Sequence, residues 1–258
     1  MRKTLLLLTL LSLPAFTACG GGDSGIPALP PNPGGGDAPA GNTVPLNSTV
    51  KGKITWEGTA PTPKKIQTSA DPGCMNPGLI SEETVVSDGG LENVILFVSG
   101  GDIAGKSFPR KTETLVLDQL GCHYIPHALT IQIGQELKIK NSDDTAHNVH
   151  SWSEINTGFN EAQARKGDEK SVMFEKEEMH FPIRCDVHNW MSAFVGVFKH
   201  PLHTVSAKGG AFELKMPAGM YEITAIHEKW GEQKKMVEVT DGGTIDLNFT
   251  FKGDGKGN

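Results

Sequence analysis

Four side chains between residues 147 and 191 could share one soft metal ion: His147, Cys185, His188 and Met191. Cys185 and His188 stand three residues apart, and Met191 follows three further on, giving C-x2-H-x2-M. One thiolate, two imidazoles and a weak thioether suit both Cu(I) and Cu(II), which one-electron copper chemistry requires. Met191 favours copper over zinc, because zinc sites are built from thiolates, imidazoles and carboxylates. Each residue alone would be ordinary: a core cysteine, a surface histidine, a packed methionine. In this order, with Asn148 beside the first histidine, they point to a mononuclear copper site.

Such a set needs rigid elements to hold it. The cluster follows an apolar run at 181–185 and precedes another at 194–198, so it reads as a short loop between two strands. His147 follows the alternating segment LKIK and would arrive from a distant strand end. The wider pattern is β. Residues 50–56 alternate, 93–99 are apolar and β-branched, and 129–140 read as two alternating segments around Gly134 and Gln135. Further strands are read at 172–174, 211–215, 221–227, 236–240 and 244–251, with Gly-rich turns at 88–90, 209–210 and 241–243. Residues 211–228 read as a hairpin. Residues 156–170 hold a short helix or a loop, and Gly158 and Gly167 favour the loop. Many short strands with such turns predict an all-β fold of sandwiches.

The segment H-N-V-H at 147–150, followed by C-x2-H-x2-M, resembles the cupredoxins, amicyanin-like members above all, over about residues 129–198. The resemblance implies a Greek-key β-sandwich, a blue type 1 copper ion and outer-sphere electron transfer. It implies His147, Cys185, His188 and Met191 as ligands, with electrons passing through a surface imidazole of His188. It also implies that the Asn148 side chain ties the two ligand loops together without touching the metal. The chain departs from simple members by its front segment, its C-terminal part and the long loop 151–170. Trp190, inside the ligand loop, would cover the metal or form a docking surface. On a strand His150 points away from His147, so it is read as a non-ligand. His123 and His127 are a possible second metal pair.

The remaining organisation is read from composition. Residues 1–18 form an export signal: Arg2 and Lys3, then an apolar run too short to span a bilayer as a mature helix. Phe16-Thr17-Ala18-Cys19 resembles a bacterial lipobox, which would lipidate Cys19 and anchor the protein outside the cytoplasm, in the periplasm. The alternative is a secreted chain with an ordinary cleavage site. Residues 19–48 read as a disordered tether, since Gly and Pro supply 14 of the 29 residues from Gly20 onward. Residues 49–128 are a front β segment, either the first strands of the copper domain or a flanking sheet that pairs with the C-terminal strands. Residues 129–200 carry the metal region. Residues 203–252 form a second small β-sandwich. Its segments GAFEL and PAGMY resemble carboxypeptidase-regulatory-like and transthyretin-like modules, which implies a non-catalytic scaffold or binding role.

With Cys19 and Cys185 assigned, Cys74 and Cys122 remain. In an exported chain they suggest a disulfide, provided the fold brings their Cα atoms within reach. The 258 residues carry a net charge of −6 and show no basic stripe, which argues against nucleic-acid binding. No nucleophile–base set, P-loop or dinucleotide motif appears, and Met191 would fill the position a substrate needs, so the chain is read as a non-enzyme. The leading expectation is an extracytoplasmic electron carrier. Its partner would be a redox protein such as a c-type cytochrome or a dehydrogenase, and its membrane contact would be through lipid alone. Two other readings stand beside it: copper storage, sensing or delivery by the same residues, and an adhesion or ligand-binding β protein with structural copper or none.

Overall fold

The computed structural model describes residues 43–253 except Ala70 and Met75. The export signal, Cys19 and most of the tether lie outside the described residues. The fold is all-β. Among the described residues the only helix is 3-10, at Pro72–Cys74 and Lys208–Gly210.

One sandwich pairs two sheets around a shared core. The first sheet runs in the order Asn160–Gln163, His147–Ser151, Glu178–Arg184, Ser192–Phe198, Ala128–Gln132. The second runs Glu169–Met173, Glu136–Asn141, Leu115–Gln119, Tyr124–Ile125. Alternation decides which side chains face inward. In Glu136–Asn141, Leu137 and Ile139 are buried while Lys138 and Lys140 face outward. They meet Leu117, Tyr124, Ile131, Val149, Ile183 and Val195 in one core. Gly134, with φ at 75°, turns the chain from one sheet into the other. The two alternating segments around it therefore lie in different sheets: Ala128–Gln132 pairs in parallel with Ser192–Phe198, and Glu136–Asn141 in parallel with Leu115–Gln119.

Residues 203–252 share the other sandwich with residues from the front segment. Ala211–Met216, Thr244–Asp246 and Phe249–Lys252 all pair with Ser48–Glu57. Gly219–His227 pairs with Ile95–Gly101 and with Gly231–Val239. The stretch expected to be a hairpin at 211–228 is thus a crossing between sheets. Met216-Pro217-Ala218 carries the chain across, since Pro217 has no N–H to offer a ladder. The folded chain also begins before the expected end of the tether. Val44 and Leu46 pack on this core, and Val44 N donates to Ser107 O at 3.2 Å. Residues 156–170 contain no helix. They include the strand Asn160–Gln163, which pairs with His147–Ser151 and extends the sheet that carries His147.

The sandwiches meet through Ile95, Phe97, Ala128 and Phe198, where Phe97 and Phe198 stack at 4.7 Å. A charged pair joins them as well. His127, just before Ala128–Gln132, lies 2.7 Å from Glu228, just after Gly219–His227. Burial alone would lower the His127 pKa, yet Glu228 and Glu82 hold it above the ordinary histidine range. A histidine raised on folding stabilises the folded state fully below its unfolded pKa, and that contribution is lost as pH rises through its folded pKa. The stability this pair adds should therefore fall as pH rises, read as the gap in thermal unfolding between the parent and Glu228→Gln. That gap should be widest on the acidic side and narrow as pH rises; a gap that does not change with pH would exclude the pair as a source of pH-dependent stability.

Candidate metal centre

Cys185 to Met191 fill the turn between Glu178–Arg184 and Ser192–Phe198, whose ends pair Arg184 with Ser192. Cys185 N donates to Met191 O at 3.2 Å, and Met191 N donates to His188 O at 2.9 Å. This closes the loop on itself. His147 opens its strand in the same sheet. The turn before it is held by Asn141, whose amide donates to Thr145 O at 2.9 Å and whose carbonyl oxygen accepts from Asp143 N at 2.9 Å.

The fold brings His147, Cys185 and His188 together. One donor atom from each lies within 4.8 Å of the others, and the residues are only 1–2% exposed. The two Nδ1 atoms are 3.0 Å apart, and Cys185 Sγ is 3.8 Å from His188 Nδ1. Atoms that share one metal ion at about 2.0–2.3 Å must stand roughly this far from each other. Met191 is buried in the same core as Cys185. The backbone N–H groups of Asn148 and His188 approach Cys185 Sγ at 3.5 and 3.4 Å.

The outer nitrogens decide where the ring protons sit. His147 Nε2 lies 3.0 Å from Asp143 Oδ2, and His188 Nε2 lies 2.9 Å from Asp71 Oδ2. The pairing with His188, together with the Gly73 N–H, holds Asp71 below the usual carboxylate range. An ionised carboxylate only accepts, so both Nε2 atoms must donate. Burial lowers the His147 pKa against the pull of Asp143 and keeps that ring neutral. The Nδ1 atoms then face each other and the sulfur, where a proton or a metal ion can sit between them.

Asn148 links the two ligand segments. Its side-chain oxygen accepts from Asp186 N, and its amide donates to Asp186 Oδ2 at 3.0 Å and Asn160 Oδ1 at 2.7 Å. Tyr124 OH donates to Asn148 O at 2.8 Å. Its pKa is raised by burial and by the nearby Cys185 and Asp186 charges, which keeps that proton in place. His150 turns away from the trio to Asp186, 3.0 Å away.

One expectation fails. His188 is no surface imidazole, because residues 71–74 cover it. Gly73 permits that approach, since a Cβ there would come within 2.5 Å of Thr145 Cβ. Cys74 and Cys122 are bridged, with Cα atoms 5.6 Å apart, and Cys74 Sγ lies 3.4 Å from His188 Nε2. Trp190 packs on His188 at 5.1 Å and donates its indole N–H to Cys122 O at 3.0 Å. His123 and His127 face Glu82 and Glu228. Among the described residues they belong to no group of three close ligand atoms. Burial pushes His203 and His227 down to about 3, so both are neutral packing residues. Sequence reasoning missed Asp71 and Asp143. Asp143 stands four residues before His147, whereas Asp71 lies far away in sequence and carried no local signal.

No family model matches the sequence, and no curated protein does. Solved structures resemble parts of it. A copper-containing nitrite reductase from Thermus scotoductus SA-01 aligns at 15% identity and a TM-score of 0.32, over 39% of this chain and 25% of its own. A reduced mutant of amicyanin aligns at 21% identity and 0.30, over 33% of this chain and 81% of its own. A purple cupredoxin from Nitrosopumilus maritimus aligns at 24% identity and 0.28, over 33% of this chain and 97% of its own. The matched stretch thus spans a quarter of the nitrite reductase.

Asn148→Ala would remove the link between the ligand segments and leave the Asp186 N–H without its acceptor. We expect a loss of about 1–3 kcal/mol in stability and of about 10–100-fold in the affinity of the trio for a soft metal ion, with copper as the probe. Chelator competition and thermal unfolding on the same variant check both; unchanged affinity would show that the link does not position the ligands.

Proposed function

We propose that this chain binds one blue-type copper ion through His147, Cys185, His188 and Met191 and carries single electrons outside the cytoplasm. The observation that carries this reading is the pair of imidazole Nδ1 atoms, 3.0 Å apart beside the free Cys185 sulfur, with both outer nitrogens committed to carboxylates. Two facing lone pairs repel, and a cation between them removes the conflict.

When bound, copper supplies a Cu(I)/Cu(II) couple. The chain's residues keep the ligands in one arrangement for both states. Two N–H groups fix the position of Cys185 Sγ, each ring is fixed from behind by a carboxylate, and the buried Met191 keeps water out of the loop. Met191 also fills space that a substrate would need, so we read the chain as a carrier and not an enzyme. The partner we expect is a redox protein such as a c-type cytochrome or a dehydrogenase. Export and lipidation at Cys19 rest on the N-terminal sequence, and the Cys74–Cys122 bridge supports an oxidising compartment. The second sandwich is read as a scaffold. Storage, sensing or delivery would use the same residues but needs exchangeable metal. The cover over His188 favours retention.

The test is the spectrum of the Cu(II)-loaded protein. The reading predicts an intense blue thiolate-to-copper band that disappears in Cys185→Ser. A colourless protein that still binds copper would overturn it.

A further inference from the structure

Both outer nitrogens of the histidine pair lead back to one covalent bond. On one side, Asp71 holds His188 Nε2, and Cys74 N donates to Asp71 O at 3.0 Å. On the other, Asp143 holds His147 Nε2 and accepts the N–H groups of Gly121 and Cys122 at 2.7 and 2.9 Å. On each side a cysteine sulfur, a carboxylate oxygen and a histidine nitrogen lie within 4.8 Å of one another: Asp71, Cys74 and His188; Cys122, Asp143 and His147. Each half-cystine therefore sits beside one of the two carboxylates.

We propose that the Cys74–Cys122 bridge is a working part of the metal centre, fixing Asp71, with Asp143 opposite it, on the outer nitrogens so that both imidazoles favour the oxidised ion and hold it. The proposal rests on the copper reading above. A carboxylate on the outer N–H of a ligand histidine makes the inner nitrogen a stronger donor. A stronger donor favours the more highly charged ion. The two sides depend on the bridge unequally. Asp143 lies in a turn that Asn141 also holds, through the bond from Asp143 N. Asp71 lies outside any strand, and its segment is joined to the sandwich by the bridge, by Thr145 Oγ1 at 3.1 Å and by His188 itself. Without the bridge, which closes a sequence separation of 48 residues, the chain around Asp71 regains much of its freedom. Asp71 is thus a positioning residue, and the bridge acts on the metal chiefly through it.

The experiment compares the full chain with Asp71→Asn, and with Cys74→Ser combined with Cys122→Ser. It reads the copper reduction potential, the rate of copper loss to a chelator and the thermal unfolding of each protein. We expect about a tenfold loss of preference for Cu(II) over Cu(I) in both variants, an upward shift of about 59 mV for one electron. Copper loss should be about tenfold faster in both. Asp71→Asn keeps the bridge and should show these changes with a smaller loss of stability than the bridge-free protein. Potentials and loss rates equal to the parent in both variants, with stability alone reduced, would make the bridge a staple and overturn the proposal. If the bridge-free protein does not fold, Asp71→Asn, which keeps the bridge, decides alone. A parent protein that takes up no copper would overturn the underlying reading. Copper uptake with unchanged potentials would overturn this proposal alone.

Discussion

Two imidazole nitrogens that face each other at 3.0 Å with lone pairs exposed repel unless a proton or a cation lies between them. A proton resolves the conflict only by making one ring cationic, and burial keeps His147 from taking that role readily. The conflict arises because Asp71 and Asp143 hold the outer nitrogens and leave neither ring free to change tautomer. The sulfur of Cys185 stands beside this pair as the third donor. On the proposed reading, a centre arranged this way is preorganised for a soft cation, and the rest of the molecule can be understood as what keeps it so.

Three features meet that constraint. The sheet carrying His147 also carries both flanks of the ligand loop, so the rigid strands set the spacing between the halves of the site. Asn148 locks the halves together by accepting from Asp186 N, and Tyr124, from the facing sheet, holds the Asn148 backbone. The covering segment 71–74 closes over His188 and removes it from solvent. That cover separates this centre from one that exchanges electrons through an exposed ligand edge. On the proposed copper reading it would trade direct access to the imidazole for retention of the ion and for control of the ring's outer nitrogen.

Much of the site was legible because its information is local. The spacing from Cys185 to Met191 and the adjacency of His147 and Asn148 are written in short segments, and strand alternation placed them at one end of a sandwich. The all-β class followed from the same alternation. What stayed hidden depends on contacts between residues distant in sequence. Asp71 is 117 residues from His188, and no periodicity in the chain connects them. The second sandwich was legible only as one of two alternatives: Ser48–Glu57 does pair with strands near the C-terminus, as the flanking-sheet alternative has it, but nothing local chose between the two. The hairpin expected at 211–228 failed for a related reason. Two alternating segments with a short connection look alike whether they pair with each other or pass into facing sheets, and only partners elsewhere decide.

The central claim is that His147 and His188 offer their Nδ1 atoms to one ion while their Nε2–H groups stay on carboxylates. Long-range 1H–15N NMR of the histidine rings during titration with Cu(I) tests it most directly. The account predicts that, at one equivalent of metal, the Nδ1 signals of His147 and His188 shift and both rings keep Nε2–H, while the other seven of the nine histidines are unchanged. Saturation without change at these two nitrogens, or with the shifts at His123 and His127 instead, would contradict it.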